Sequence, residues 1–130
     1  MPSTIEAAPG RTVAPNGVVG IEPAGKRIRV SYAGQQILDT TGAVSLLEAG
    51  HSPVTYVPLA DIDPSVLAPS DTHTFCPRKG TASYFSIVVG DHKATDAIWT
   101  YPEHLPDALD LSEYVAFYRD RIDSWDETDA

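Results

Sequence analysis

Prolines and glycines are spread along this chain so densely that short elements joined by turns are favoured over long helices. The 130 residues include 11 prolines and 9 glycines. Proline removes a backbone donor and restricts its neighbour, whereas glycine adopts turn conformations at little steric cost. A chain of this length suits one domain and buries roughly two thirds of its unfolded surface. The sequence therefore predicts one domain with many short elements.

The first clear strand signal lies in residues 27–40. Ile28, Val30 and Tyr32 alternate with polar residues, which is the pattern of a half-buried strand. Ala33-Gly34 then offers a turn to the returning segment QQILDT. These residues predict a β-hairpin.

The strongest strand signal is TASYFSIVVG, residues 81–90, because aromatic and β-branched residues favour strands. Gly90-Asp91 predicts a hairpin into a partner strand through residues 94–101. The run at 43–50 fits a strand or a single helical turn, and its length does not decide between them. Pro64–Leu67 predicts one helical turn, since proline suits the first helical position.

Towards the end of the chain, the segment 106–122, which follows Pro102, predicts a short helix at its start, with Asp107 and Asp110 near the helix N-terminus. Residues 115–125 alternate again and predict a strand that closes the sheet. Acidic residues dominate the last segment. We expect an extended or disordered lead-in over residues 1–22, a single β-rich domain over 23–124 and a solvated, fraying acidic tail over 125–130.

The composition limits the partners and the cellular location that are expected for this protein. The net charge of -9 disfavours nucleic acid, whose phosphates are bound through Lys and Arg. One cysteine excludes an intramolecular disulfide and a cysteine-rich zinc site. Neither an N-terminal signal segment nor an apolar run of about 20 residues is present, so no membrane contact is expected. These features favour a cytoplasmic protein.

Four segments resemble a known family in order along the chain: EAGHSPVTYVPLADI, TFCPRKGTASYFS, IWTYP and YVAFYRDRID. The family is the domain of unknown function numbered four-two-seven, and the likeness runs from about Ile21 to Asp123. The resemblance implies a compact, mainly β domain, a bent antiparallel sheet similar to β-tent folds with short helical turns. The family carries a nucleotidyltransferase label without an agreed reaction, so the resemblance implies no mechanism.

Cys76 is the first candidate catalytic residue. Lys79 follows it by three positions, and a nearby cation lowers the pKa of a thiol and makes it a better nucleophile. His73 is a candidate base if the loop folds back. The alternative is a buried, unreactive thiol, because free cysteine is among the most often buried residue types.

Arg78-Lys79-Gly80 predicts an anion site. Two cations before a glycine, in a turn entering a strand, can bind a phosphate or carboxylate through side chains and backbone N–H groups. The spacing differs from that of a P-loop. The alternative is a plain turn with solvated charges.

Asp61-Ile62-Asp63 places two carboxylates on one side of a strand, as two-metal nucleotidyl transfer needs. Pro58 and Pro64 argue against a regular strand there. We therefore keep Asp61 alone as a candidate general base, with capping a turn or pairing with a cation as its alternative role. The four histidines show no metal-ligand spacing, and neither a metal nor a cofactor is predicted.

Aromatic residues supply the candidate binding surface. Tyr84 and Ser86 share one face of their strand, and Trp99 and Tyr101 share one face of the next, because side chains alternate along a strand. With Tyr56 they predict a pocket that has Lys79 at its mouth. The alternative is that these rings fill a two-sided core.

Together these patterns favour a domain that binds a small anionic molecule. Its predicted ligand-binding residues are Lys79, Arg78, Tyr56, Tyr84, Ser86, Trp99 and Tyr101. One alternative is an enzyme, of transferase or hydrolase type, that uses the same pocket with Cys76 or Asp61 as the reactive group. The other is a structural or protein-interaction domain whose motif residues brace the fold.

Overall fold

Short strands make up most of the molecule. The computed structural model describes residues 4–6, 8–77 and 79–130. Eleven strands lie in this part of the chain: β1 Thr12–Val13, β2 Val19–Pro23, β3 Lys26–Tyr32, β4 Gln35–Thr40, β5 Val44–Glu48, β6 Val54–Pro58, β7 Leu67–Cys76, β8 Gly80–Val89, β9 His92–His104, β10 Tyr114–Phe117 and β11 Ser124–Asp129. Single 3-10 turns occur at Leu59–Asp61, Pro64–Val66 and Arg119–Arg121. The helical turn predicted at Pro64 is confirmed.

The strands form two antiparallel sheets in one domain, which confirms the mainly β prediction. One sheet has eight strands in the order β1-β2-β5-β6-β10-β9-β8-β7, and the other has three in the order β11-β3-β4. Strand β10 lies between β6 and β9, so segments distant in the sequence become neighbours. In the described part of the chain, no helix is long and apolar enough to cross a membrane.

Both predicted hairpins are confirmed. Strands β3 and β4 pair antiparallel across Ala33 and Gly34, whose φ angles of 50° and 78° are left-handed. Two consecutive left-handed residues match the right-handed twist of the flanking strands. Strands β8 and β9 pair across Gly90-Asp91. The segment at 43–50 is a strand, because β5 has a partner on each side.

The start of the chain departs from the prediction. The expected lead-in over residues 1–22 contains β1 and most of β2, and β2 pairs along its whole length with β5. The short helix predicted after Pro102 is also wrong: residues 105–113 form turns and irregular backbone. Leu109 and Leu111 of this segment are buried, so packing rather than helix formation orders it.

The acidic tail over 125–130 is likewise corrected. Strand β11 pairs with β3 over six residue pairs, and its acidic residues lie along a basic strand. Asp126 lies opposite Arg29, and Lys26 Nζ is 2.9 Å from an Asp129 carboxylate oxygen. The acidic residues for which a fraying end was predicted therefore form a strand along the basic segment KRIRV of β3.

The central strands of the large sheet are buried on both faces. One core cluster combines the small sheet, through Ile28 and Val30, with residues such as Val57 and Ile98. Tyr56 precedes Val57 and Trp99 follows Ile98. Tyr56 belongs to a second core cluster on the other face of the sheet, and Trp99 packs against that cluster. Alternation along the strands thus sends the aromatic candidates to the face away from the small sheet.

Candidate functional site

A cavity of about 450 Å³ opens on the face that carries the second core cluster. Five of the predicted ligand-binding residues line it. The full lining is Leu46, Glu48, His51, Ser52, Val54, Tyr56, Lys79, Tyr84, Trp99, Tyr101 and Tyr118.

Neighbouring strands supply the aromatic wall. Tyr84 of β8 lies directly opposite Trp99 of β9 in the antiparallel register, and cross-strand partners bring their side chains close together. Tyr101 follows Trp99 by two positions and projects to the same side. Tyr56 comes from β6. In the sheet only β10 lies between β6 and β9, and this brings Tyr56 near Trp99.

The turn between β7 and β8 positions Lys79. The Lys79 N–H donates to the Cys76 carbonyl over 3.2 Å, and the Lys79 carbonyl accepts from the Leu105 N–H over 3.2 Å. Gly80 has a φ of 130°, and a Cβ there would lie 2.7 Å from the Glu103 carbonyl oxygen. Glycine therefore lets the turn press against residues 103–105, which holds Lys79 at the cavity.

An ion pair lies in the lining of the cavity. Lys79 Nζ lies 2.6 Å from Glu48 Oε1, and the two side chains are only 14% and 12% exposed. His51 Nε2 lies 3.2 Å from the second carboxylate oxygen of Glu48, and its ring is more exposed. Removing one partner from a pair this buried leaves a poorly solvated charge, which is strongly unfavourable.

The rings contact one another in defined geometry. The Trp99 indole N–H donates to the Tyr56 hydroxyl over 3.0 Å, and the two rings meet edge to face with centroids 6.2 Å apart. Trp99 also packs on Tyr118, with centroids 4.6 Å apart. These contacts fix the rings in place, so the wall of the cavity is preformed.

Burial makes the cavity tyrosines harder to ionise. It raises the pKa of Tyr56 and of Tyr101 well above the ordinary tyrosine value, and nearby groups such as Cys76 add to the effect. Burial, with a hydrogen bond to Tyr84, also raises the pKa of Tyr118. A tyrosine hydroxyl is protonated at neutral pH in any case, and the raised pKa extends this into alkaline solution, so these side chains are O–H groups that can donate to an acceptor.

Comparison with protein families identifies the chain's relatives. A family model described as Domain of unknown function (DUF427), with the label NTP_transf_9, matches residues 20–128. The chain belongs to the DUF427 family. The resemblance seen in the sequence is thereby confirmed. No curated protein matches the chain. The description of DUF427 names no reaction.

In this DUF427 domain, Cys76 lies beside the cavity and does not line it. The residue is half-buried against the second core cluster, next to Tyr101. His73 and Cys76 pair in regular register with β8, and residues three apart on a strand point to opposite sides. His73 Nδ1 lies 3.2 Å from the Ser83 hydroxyl instead. The structure therefore gives Cys76 no histidine base on its own strand.

We expect Cys76→Ser to fold and to lose at most about 1 kcal/mol, because the change is small and the site only half-buried. Urea unfolding of the two proteins would measure this. The variant should also keep any ligand that the wild type binds in the cavity. A folded Cys76→Ser protein without that binding would contradict the assignment of Cys76 to the packing beside the cavity.

Three other predicted residues lie elsewhere or outside the described structure. Asp61 ends a 3-10 turn and accepts a hydrogen bond from the Thr40 hydroxyl over 2.6 Å. Its side chain thus bonds to β4 and not to the turn that it was considered to cap, and it contributes to a different cavity that Lys79 does not line. Ser86 is buried, accepts from the Asp96 N–H over 3.0 Å and also lines a different cavity. Arg78 falls outside the described residues.

The Asp61-Ile62-Asp63 pattern serves the local turns. Asp63 caps the 3-10 turn at Pro64–Val66 by accepting from the Ser65 N–H over 3.0 Å. A hydrogen bond from the Ser65 hydroxyl, together with this one from the Ser65 N–H, lowers the pKa of Asp63. Over the described ranges, no group of three or more His, Cys, Asp or Glu side chains is placed to hold a metal ion.

Sequence reasoning missed Glu48, His51 and Tyr118. A signal for Glu48 was present, since Leu46 and Glu48 share a face once residues 44–48 are known to be a strand. The short run at 43–50 did not distinguish strand from helix, so the shared face was not assigned. Tyr118 lies just after β10, and only the position of β10 beside β9 brings its ring onto Trp99.

Proposed function

We propose that this DUF427 domain binds a small molecule that carries an anionic group and a flat or sugar-like ring. The observation that carries the proposal is the convergence of Lys79 with four aromatic candidates, Tyr56, Tyr84, Trp99 and Tyr101, in one cavity. These residues come from three segments, at 56, 79–84 and 99–101, and only the fold brings Tyr56 to the other two. A volume of about 450 Å³ suits a small ligand, whose pockets span about 300–1,000 Å³.

The hydrogen-bonding groups favour a ligand rich in acceptors. Lys79 provides an ammonium, and the cavity tyrosines provide O–H groups. The Glu48 carboxylate already faces Lys79 and His51. A carboxylate or phosphate brought into the cavity would accept from Lys79 and from these hydroxyls.

The binding role has better support than the catalytic one. Cys76 and Asp61, the two candidate reactive groups, both lie outside the lining of the cavity. A reactive group has to reach the bound molecule within hydrogen-bonding distance. The cavity residues instead supply contact area, donors and a cation.

A thermal-shift screen tests the proposal. The compounds are adenosine monophosphate, glucose 6-phosphate, benzoate and the aromatic α-amino acids, applied to wild type and to Lys79→Met. Methionine keeps much of the lysine's apolar length while removing the ammonium. We expect at least one compound to stabilise the wild type, by about 2.7 kcal/mol at a hundredfold excess over Kd, and to lose this effect in Lys79→Met.

Two controls separate binding from folding. Because Lys79→Met leaves Glu48 without this cation, the double variant Glu48→Gln/Lys79→Met removes both charges and should be the more stable of the two. Lys93→Met removes an exposed lysine that does not line the cavity, and it should bind like wild type. A screen without any hit on the wild type, or a hit that Lys79→Met keeps, would refute the proposal.

A further inference from the structure

We infer that the ligand is a zwitterion, with its anionic group on Lys79 and its ammonium between Glu48 and the aromatic rings. The inference rests on the proposed function and names the ligand class for the same cavity. It starts from the buried pair of Glu48 and Lys79, whose charged atoms lie 2.6 Å apart. A ligand that contacts Lys79 therefore also lies close to the Glu48 carboxylate.

The Glu48 carboxylate disfavours a ligand that carries only negative charge. An anionic group that binds Lys79 competes with Glu48 for the same ammonium and repels its carboxylate, which is only 12% exposed and so poorly screened by water. The whole chain carries a net charge of -9, which adds to the repulsion. A second, positive group on the ligand offsets this penalty because it is attracted to the Glu48 carboxylate.

A zwitterion offers an oppositely charged group to each member of the Glu48–Lys79 pair. Its carboxylate takes the Lys79 ammonium, and its own ammonium takes the Glu48 carboxylate, so the net charge of the cavity does not change. An α-amino acid holds its two charges on neighbouring carbon atoms, which matches the close spacing of Glu48 and Lys79. Both new pairs are charge-assisted hydrogen bonds.

The rings of this cavity already interact with cations. Lys79 Nζ lies 5.8 Å from the centre of the Tyr101 ring, and the Arg121 guanidinium lies 4.4 Å from the centre of the Tyr118 ring. Aromatic faces attract cations through the quadrupole of the ring, and Trp does so most strongly. Trp99 stands between Tyr56 and Tyr118 in the same wall, so an ammonium near Glu48 also meets this aromatic surface.

Isothermal titration with matched compounds tests the charge requirement on the unmodified protein. L-phenylalanine, L-tyrosine and L-tryptophan carry both charges, their N-acetyl forms only the negative one and their methyl esters only the positive one. We expect at least one zwitterion to bind ten-fold or more tightly than its two derivatives. An N-acetyl form that binds as tightly as its parent, or zwitterions that do not bind while benzoate does, would overturn the inference and leave the proposed function standing. Absence of binding by every compound, including the adenosine monophosphate, glucose 6-phosphate and benzoate of the thermal-shift screen, would overturn the inference and the proposed function together.

The variant Glu48→Gln tests the position of the ammonium. It keeps the size of the side chain, and we expect zwitterion binding to weaken at least ten-fold while the N-acetyl form binds as well or better. Glu113→Gln, at an exposed position away from the cavity, should change the binding of neither the zwitterion nor the N-acetyl form. If Glu48→Gln does not fold, the double variant Glu48→Gln/Lys79→Met should show no preference for the zwitterion. A preference that survives the loss of Glu48 would contradict the assignment.

Discussion

A chain that ends at Asp123 is expected to lose about 4 kcal/mol of its free energy of unfolding, as large truncations of packed side chains do. The removed segment contains β11, which pairs with β3 over six residue pairs. Its Trp125 packs edge to face on Phe117, with centroids 5.9 Å apart, and stacks under Arg119 at 4.1 Å. Truncation also uncovers one edge of β3, whose Ile28 and Val30 are fully buried.

Urea unfolding of the full and shortened chains measures this effect. Trp125→Ala in the full chain should lower the free energy of unfolding by about 2 kcal/mol. This is less than the loss expected for a fully buried tryptophan, because Trp125 is only half-buried. Asp126→Asn, at an exposed position of the same strand, should stay within about 0.5 kcal/mol of wild type. A shortened chain with unchanged stability would show that the acidic segment frays, as its composition had predicted.

The variant Gly80→Ala is expected to lose about 3 kcal/mol, because it combines backbone strain with overpacking. Gly80 has a φ of 130°, and its new Cβ would lie 2.7 Å from the Glu103 carbonyl oxygen and 3.1 Å from the His104 Cα. Both contacts are with backbone, which cannot rotate away. The turn that positions Lys79 would have to shift, so ligand binding should weaken together with stability.

Gly90→Ala is the matched control for Gly80. Gly90 is also left-handed, with a φ of 62°, but nothing lies within 4 Å of its Cβ position. Its substitution should therefore cost only the left-handed penalty of about 1 kcal/mol. Equal losses in the two variants, measured by urea unfolding, would mean that the contact with residues 103–105 does not constrain the turn.

Local patterns were sufficient to predict many elements of the fold. Alternation identified the strand around Ile28 and Val30, and the aromatic run identified β8. Turn residues placed both hairpins, since Ala33-Gly34 and Gly90-Asp91 connect adjacent strands in the structure. Alternation also placed Trp99 and Tyr101 on one face, where both line the cavity. These predictions succeed because a hairpin and the two faces of a strand depend on residues close in sequence.

The same local reasoning failed at the chain ends. Composition predicted a fraying acidic tail, yet β11 is held by the basic residues of β3 more than ninety positions earlier in the chain. Likewise, the segment that starts at residue 106 carries helix signals, but residues 105–113 are irregular and pack through the buried Leu109 and Leu111. Long-range packing outweighed a weak local preference in both segments.

For the candidate site, the sequence by itself determined which strands carry the aromatic residues and that the Cys76–Gly80 turn brings Lys79 beside them. The tertiary structure alone decided that Glu48 is the partner of Lys79, that Tyr118 joins the wall and that Ser86 and Asp61 lie in other cavities. The reason is the order of the strands. Glu48 reaches Lys79, 31 residues away, only because β5 and β8 lie in one sheet whose order does not follow the sequence. Such neighbours depend on the packing of the whole domain, which no local pattern encodes.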